Sequence, residues 1–401
     1  MAANDKIMDL SLRHAIGTQR LAGGDVKAMM EVLRKAEADL QVKLLARLRP
    51  GDWTSKRYKA MIKDIRKMRR ALFANLHASS RDKLLALAKA EQTFTRGILN
   101  AALPIELNYA TVSASTLNTL VTATPFSGGT NAARTLAQWW ENVAAADQRR
   151  IIEAIQMGMV QGETVPQVTS RVMQGMQITR ANAETVIRTG INHVSNGSRE
   201  KFFEANSDMI QAEMWASTLD GRTTAVCRGR DGHYDAVGST PLEKVPEPHL
   251  DPPGATPPAH PRCRSIKVGI LDDLGIESKM PARPFVRDIR TGRQRQMDFR
   301  TDARVKVGAK RWKQMSRKQR NSAVRTERQA WTKQAVGTVP SKMTYDPWLR
   351  QQPKAFQEEV LGIRKAQAFR KGLKLDRFID RAGNELTLKQ LAIKFPEYIA
   401  A

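Results

Sequence analysis

The chain has 401 residues, 41% of them hydrophobic, and carries 66 Lys and Arg against 40 Asp and Glu, a formal charge of +26. This length suggests two or three domains, and the charge asks for a polyanionic partner, nucleic acid above all. No apolar run approaches the roughly 20 residues that cross a bilayer, and Met1-Ala2-Ala3-Asn4-Asp5-Lys6 lacks the apolar centre of a secretory signal, so no membrane partner is expected and the protein should stay where it is made.

Residues 1–24 are weakly patterned and end in Gly23-Gly24, which reads as an arm or short helix. From Asp25, an N-cap type, Met29, Val32, Leu33, Ala36, Leu40, Leu44 and Leu48 follow at spacings of three and four, one helical stripe that stops at Pro50. A second helix is predicted over about 55–76. Ile62, Ile65, Met68, Leu72 and Leu76 line one side and Lys59, Lys63, Arg66, Lys67 and Arg70 lie largely on the other. A third, over about 81–99, has Leu84, Leu85, Leu87 and Ala88 on a broad apolar side. Residues 1–100 therefore read as amphipathic helices that bundle or dock a partner. Residues 101–127, rich in Thr, Ser, Ala and Gly with Pro104 and Pro125, read as a linker.

Helical pattern resumes at Ala132 and opens a core domain over 128–280. Trp139, Trp140 and Val143 anchor one helix; Ile151, Ile152, Ile155 and Met159 anchor the next, which Gly162 ends. Thr164 with Gln167 makes a capping box for a helix through Val168 and Val172. Thr179 then caps a long helix to about Phe203 with Val186, Ile187, Ile191 and Val194 inward. Arg188 is either an anion-binding cation or a surface arginine tying its helix to the following sheet. The second is favoured, because no carboxylate and histidine pair stands beside it. Gln211 to Ser217 alternates as a strand and Arg264 to Ile270 supplies its partner, bracketing a Pro-rich loop.

Both cysteines and three of the six histidines lie between Met214 and Arg264. Cys227 with His260-x-x-Cys263 supplies three of the nitrogen and sulfur ligands that tetrahedral zinc uses, the fourth being His233, His249 or water. The alternatives are two buried thiols in a Pro-braced hairpin or, less favoured without a secretory context, a disulfide. Asp220 and Arg222 are expected to fix a turn. Asp231-Gly232-His233 and His260-x-x-Cys263 also allow an enzymatic alternative, a zinc-braced nuclease of His-Asn-His type with a metal-activated water. The paired Cys motifs and a second Asn-His element that such an enzyme needs are absent from the sequence.

The written pattern Trp215, Ser217, Asp220, Arg222, Thr223, then Cys227, Asp231-Gly232 and Pro257-Pro258-Ala259-His260-Pro261-Arg262-Cys263-Arg264 resembles the signature of the phage Mu F-like head morphogenesis proteins, minor capsid proteins of tailed bacteriophages. Gly162-Glu163-Thr164 and Arg188-Thr189 extend the likeness, which covers about residues 125–275. Ser265 stands where that family usually has a further Cys. The resemblance implies that Arg188, Trp215, Asp220, Arg222, Thr223, His260, Cys263 and Arg264 are structural signature residues, with no catalytic residue and no required cofactor. It implies assembly in the host bacterial cytoplasm and retention in the virion, inside the capsid near the portal vertex, in multiple copies. Its implied partners are the portal protein and the major capsid protein or scaffold, with a part in procapsid assembly and genome packaging or ejection.

Charge is concentrated. Residues 281–340 hold 17 Lys and Arg and 4 Asp and Glu, 17 minus 4 giving +13, and residues 51–100 hold 12 and 4, giving +8. The first block has few large apolar residues (Phe285, Val286, Phe299, Trp312 and Trp331) and is expected to be extended or ordered only by a partner. Arg311, Lys313, Arg317, Lys318 and Arg320 are its candidate contacts to double-stranded DNA, without sequence preference. Trp312 could stack on an unpaired base or anchor into another protein. Residues 341–401 return to order at Asp346-Pro347-Trp348. Pro353 opens a helix with Phe356, Val360, Ile363 and Phe369, and Thr387 with Gln390 caps another before Leu391. The fold class expected is α+β, predominantly α: an N-terminal helical bundle, a helical core with a small β-sheet, a basic extended segment and a small C-terminal helical module.

Overall fold

The structure, a computed structural model, describes residues 3–47, 55–103, 108–126, 133–271, 282–290, 292–340 and 343–399. Leu48, Pro50, Pro104 and Ala132, named above as pattern boundaries, lie outside the described residues. The described chain is predominantly helical with two three-stranded sheets, the α+β class expected. It divides into two compact units, Arg13–Met209 with Thr256–Lys267, and Met1–Leu12 with Ile210–Ala255 and Val268–Ala401.

The first unit is built on α1 (Ala3–Arg47, from Arg13 onward), α2 (Ser55–Ala102), α3 (Ala114–Thr122), α4 (Leu136–Val160) and α5 (Val165–Ala205). Several helices that the sequence breaks apart are continuous. α1 runs through Gly23-Gly24, α2 joins the stretches expected over 55–76 and 81–99, and α4 and α5 each absorb two. Isolated Gly lowers helix propensity by about 1 kcal/mol relative to Ala, which a packed apolar face outweighs. Leu33, Phe73, Leu84, Trp140, Val186 and Ile191 share one core cluster, and Leu40, Leu44, Ile62, Ile65, Ile155 and Val168 share another. The linker expected over 101–127 contains α3, capped by the Ser113 side chain and burying Leu117, Leu120 and Val121.

Thr179 is no N-cap. It lies mid-helix in α5 and its hydroxyl donates to Asp147 Oδ1 at 2.8 Å. Asp147 also accepts Arg69 Nε at 2.6 Å and Nη2 at 2.9 Å, and both partners' side chains are fully buried. A buried ion pair is tolerated when both carboxylate oxygens and two of the three guanidinium nitrogens are hydrogen-bonded in this way.

The second unit carries β1 (Ile210–Ala216), β2 (Leu219–Asp220), α6 (Ala225–Arg230), β3 (Tyr234–Ala236), β4 (Ile266–Leu271, from Val268), β5 (Ala282–Val286), α7 (Gly292–Val307), α8 (Ala309–Gln314), α9 (Arg317–Ala335), β6 (Val336–Pro340), α10 (Tyr345–Arg350), α11 (Lys354–Leu361), α12 (Ile363–Arg370) and α13 (Leu388–Lys394). β1 and β4 are the two strands read from the sequence; they lie in one sheet of order β3-β1-β4, with Ala212 opposite Ala236 and Met214 opposite Tyr234. In the other sheet β2 pairs parallel to β5 and β5 antiparallel to β6, Phe285 facing Gly337. A Cβ at Gly337 would sit 2.4 Å from the Phe285 ring, so only glycine lets that ring lie flat there. Phe285 and Leu219 join Tyr345, Trp348, Leu349, Phe356, Phe369 and Leu391 in a single core with the C-terminal helices.

The extended reading of 281–340 is corrected. β5 and β6 bracket three helices, α7 to α9. Arg, Lys, Gln and Ala are strong helix formers, and Ser316 with Gln319 forms a capping box at the start of α9. A few anchors suffice to pin this hairpin. The Phe299 and Trp331 rings lie 5.7 Å apart, Lys306 pairs with Glu327 at 2.7 Å, and Trp331 Nε1 donates to Asp288 at 2.8 Å. Gly308 at φ 85° makes the turn from α7 to α8, a conformation that side chains rarely adopt.

Candidate functional site

The signature segment of the second unit is organised around Asp231, just after α6. Its Oδ1 accepts Arg283 Nη2 at 2.7 Å and the Ser217 amide at 2.5 Å; its Oδ2 accepts Arg283 Nη1 at 3.1 Å and the Tyr345 amide at 2.6 Å. Arg283 also donates to the carbonyls of Ser217 and Met343. The Asp231 and Arg283 side chains are 0% and 2% exposed, so the ion pair together with these backbone groups takes the place of water. Gly232 follows at φ 83°, where a Cβ would lie 2.3 Å from Thr344, which accounts for the Asp-Gly pair.

Trp215, Asp220, Arg222 and Thr223 build the turn that leads to this carboxylate. Trp215 Nε1 donates to Ser217 Oγ at 3.0 Å, Ser217 Oγ donates to the Cys227 carbonyl at 2.7 Å, and the Arg230 guanidinium lies 5.4 Å from the Trp215 ring centroid. Asp220 accepts the Arg222 amide at 3.0 Å and the Thr223 hydroxyl at 3.2 Å, and Tyr345 Oη donates to the Asp220 carbonyl at 2.7 Å. An Asx turn of this kind replaces backbone hydrogen bonds that a tight corner cannot make. The nuclease alternative would draw on Asp231 and His233. Both Asp231 oxygens are committed to structural donors, and the His233 ring stands 4.0 Å from Asp376.

His260, Cys263 and Arg264 lie in the loop of the first unit that faces α5. Arg262, at φ 59°, donates its amide to Thr189 Oγ1 and its Nε to Thr185 Oγ1, each at 3.0 Å. Glu184 pairs with Arg188 at 2.7 Å and with Arg262 at 3.6 Å, so Arg188 is a helix-surface arginine beside this loop. Asn192 and Asn196 donate to the Ser265 carbonyl and Asn196 accepts the Lys267 amide at 3.0 Å. Burial works against a charge on His260, but its bond to Cys263 and that thiol's charge, with the Pro261 carbonyl, raise its pKa above the ordinary value. Cys227, in α6 of the other unit, and Cys263 are both buried.

The five candidate DNA contacts divide. Arg311 and Lys313 on α8 and Arg317 and Lys318 on α9 are exposed, and among the described residues none has an ion-pair partner. Arg320 instead donates to the Trp312 and Lys313 carbonyls at 2.9 Å each and lies over the Trp312 ring, closing the end of α8. Trp312 is buried at 7% exposure and is not available for stacking on a base.

A family model described as phage Mu protein F like protein matches residues 149–267. These residues form a Mu F-like region. Neither the curated proteins nor the solved structures contain a match. The Mu F-like region runs from the second half of α4 through the signature turn to the start of β4. Sequence reasoning placed Trp215, Asp220, Arg222 and Thr223 in it but missed Arg283 and Tyr345, which lie beyond its end and complete the Asp231 shell. The available signal was the Asp-Gly pair itself, since an acid in a tight turn of an apolar segment needs donors from elsewhere.

Proposed function

We propose that the protein is a minor capsid protein of a tailed bacteriophage that associates with the portal inside the head in several copies, assists procapsid assembly and genome packaging or ejection, and binds duplex DNA without sequence preference and without chemical turnover. The observation that carries the DNA part is the exposed, unpaired cationic set Arg311, Lys313, Arg317 and Lys318 on a folded hairpin. Such cations exchange condensed counterions for phosphates and give salt-dependent affinity. Buried Trp312 favours backbone contact to duplex over base stacking. For R311Q/K313Q/R317Q/K318Q, retention on a duplex at two salt concentrations should fall and lose much of its salt dependence. Retention equal to the parent protein rejects the reading.

Support for a portal or shell partner comes from α1, where Leu21, Val32, Val42 and Leu45 are 50%, 47%, 66% and 47% exposed. Large apolar side chains held in water in this way suit a protein interface. Portal capture by a variant carrying Ser at all four should be lost; undiminished capture sinks this assignment. Zinc held by Cys227, His260 and Cys263 is proposed on donor chemistry, supported by the hydrogen bond between His260 and Cys263. Metal analysis of the purified protein decides it, stoichiometric zinc supporting the ligand set and its absence removing it. Plasmid nicking in magnesium or manganese would reverse the non-enzymatic reading.

A further inference from the structure

We propose that the first four turns of α2 form a second duplex-binding surface, separate from the hairpin. This rests on the DNA-facing role argued above but places contacts in the other unit. Lys56, Lys59, Lys63, Arg66, Lys67 and Arg70 are all exposed. At 100° per residue they fall within an arc of about 100°, beside the face that buries Ile62, Ile65 and Phe73. Asp64, the one acid of that stretch, projects outside the arc. Among the described residues no ion pair neutralises any of the six.

An ordinary solvated helix face looks different, and the same unit shows it. Along α1 the exposed cations Lys27, Arg34, Lys35 and Lys43 are interleaved with exposed Glu31 and Asp39, and further along α2 Lys83 pairs with Asp25 at 2.6 Å. The ridge instead sets like charges at helical neighbour spacing: 59 and 63, 63 and 67, 66 and 70. Like pairs at that spacing repel and weaken a helix, so this arrangement is unfavourable until an anion covers it. From 56 to 70 the ridge is about 21 Å long at 1.5 Å per residue. Along its axis a duplex carries one phosphate per strand roughly every 3.4 Å, so a ridge of this length lies against a stretch of duplex that offers several phosphates. The described ridge carries no aromatic on which an unpaired base could stack, which favours duplex over single strand.

The test compares full-length parent protein with K59Q/K63Q/R66Q/K67Q, with K59R/K63R/K67R and with the hairpin variant above, on one fluorescent duplex across a salt series. Gln keeps helix propensity, and circular dichroism checks that each variant is folded. Loss of four contacts should lower the slope of log affinity against log salt by about 3 to 4, at roughly 0.9 per phosphate contact, with the arginine variant unchanged and the ridge and hairpin losses adding. A ridge variant that keeps the parent slope overturns the second surface while a hairpin loss still upholds the first. A parent protein without affinity for duplex overturns both. Ridge-dependent binding to polyglutamate with none to duplex also overturns it, in favour of an acidic protein partner.

Discussion

Two arginine-rich regions of one unit use their charge in opposite ways. Around the signature turn, Arg283 is locked to Asp231, Arg222 to Asp220 and Arg228 to the Thr223 carbonyl. On the hairpin of α7 to α9, Arg311, Lys313, Arg317 and Lys318 face solvent without a described acid. A buried cation without a partner costs several kcal/mol, so the turn must supply its own acids. An exposed cation costs little to hold and stays available to a partner. Net charge alone does not tell these two apart.

The comparison breaks first at Asp231. Asp231→Ala removes four donors' acceptor and strands Arg283, so stability should fall by about 3 to 5 kcal/mol, read as a shift in urea midpoint; a midpoint within error of the parent would mean the turn does not depend on its ion pair. Next comes acid. Burial lowers the His193 pKa to about 4 against its bond to the Leu120 carbonyl. The unfolded chain then binds the extra proton between pH 6.5 and 4, and stability present above 6.5 is lost as pH falls through that window. The loss is at most about 3.5 kcal/mol, 2.5 units at about 1.4 kcal/mol per unit. His193→Gln should flatten the profile there, and an equally steep profile would assign the acid response elsewhere. Arg320→Gln, which removes two bonds to carbonyls at the end of α8, should cost about 1 kcal/mol and raise hydrogen exchange in α8 and the start of α9. Smallest of all, R311Q/K313Q/R317Q/K318Q should change stability by no more than about 0.5 kcal/mol. A larger loss would mean that these cations support the fold and are not reserved for a partner.

Much of the fold was legible because it is local. Leu33, Leu40 and Leu44 of the first stripe are buried as read while Val32 of the same stripe is exposed, and Thr164 and Thr387 donate their amides to Gln167 and Gln390 at 2.8 Å each. β1 and β4 lie within about two residues of the strands read from alternation. What was misjudged depended on partners far along the chain. Thr179 resembles a cap until Asp147, 32 residues earlier, takes its hydroxyl. The basic segment resembles disordered chain until Trp331 reaches Asp288 and Phe299. Among the candidate DNA contacts, Arg320 has the same composition as its neighbours, and only the path from α8 to α9 turns it inward.

The sequence by itself determined the helical period, the two principal strands, the Mu F-like signature and the surplus of positive charge, since each depends on spacing within a few residues or on a sum over the chain. Only the tertiary structure decided which charges are spent. Asp231 meets Arg283 from 52 residues away and Tyr345 from 114. Whether a side chain is paired depends on what the fold brings within about 3 Å of it, and no short window of sequence contains that neighbour.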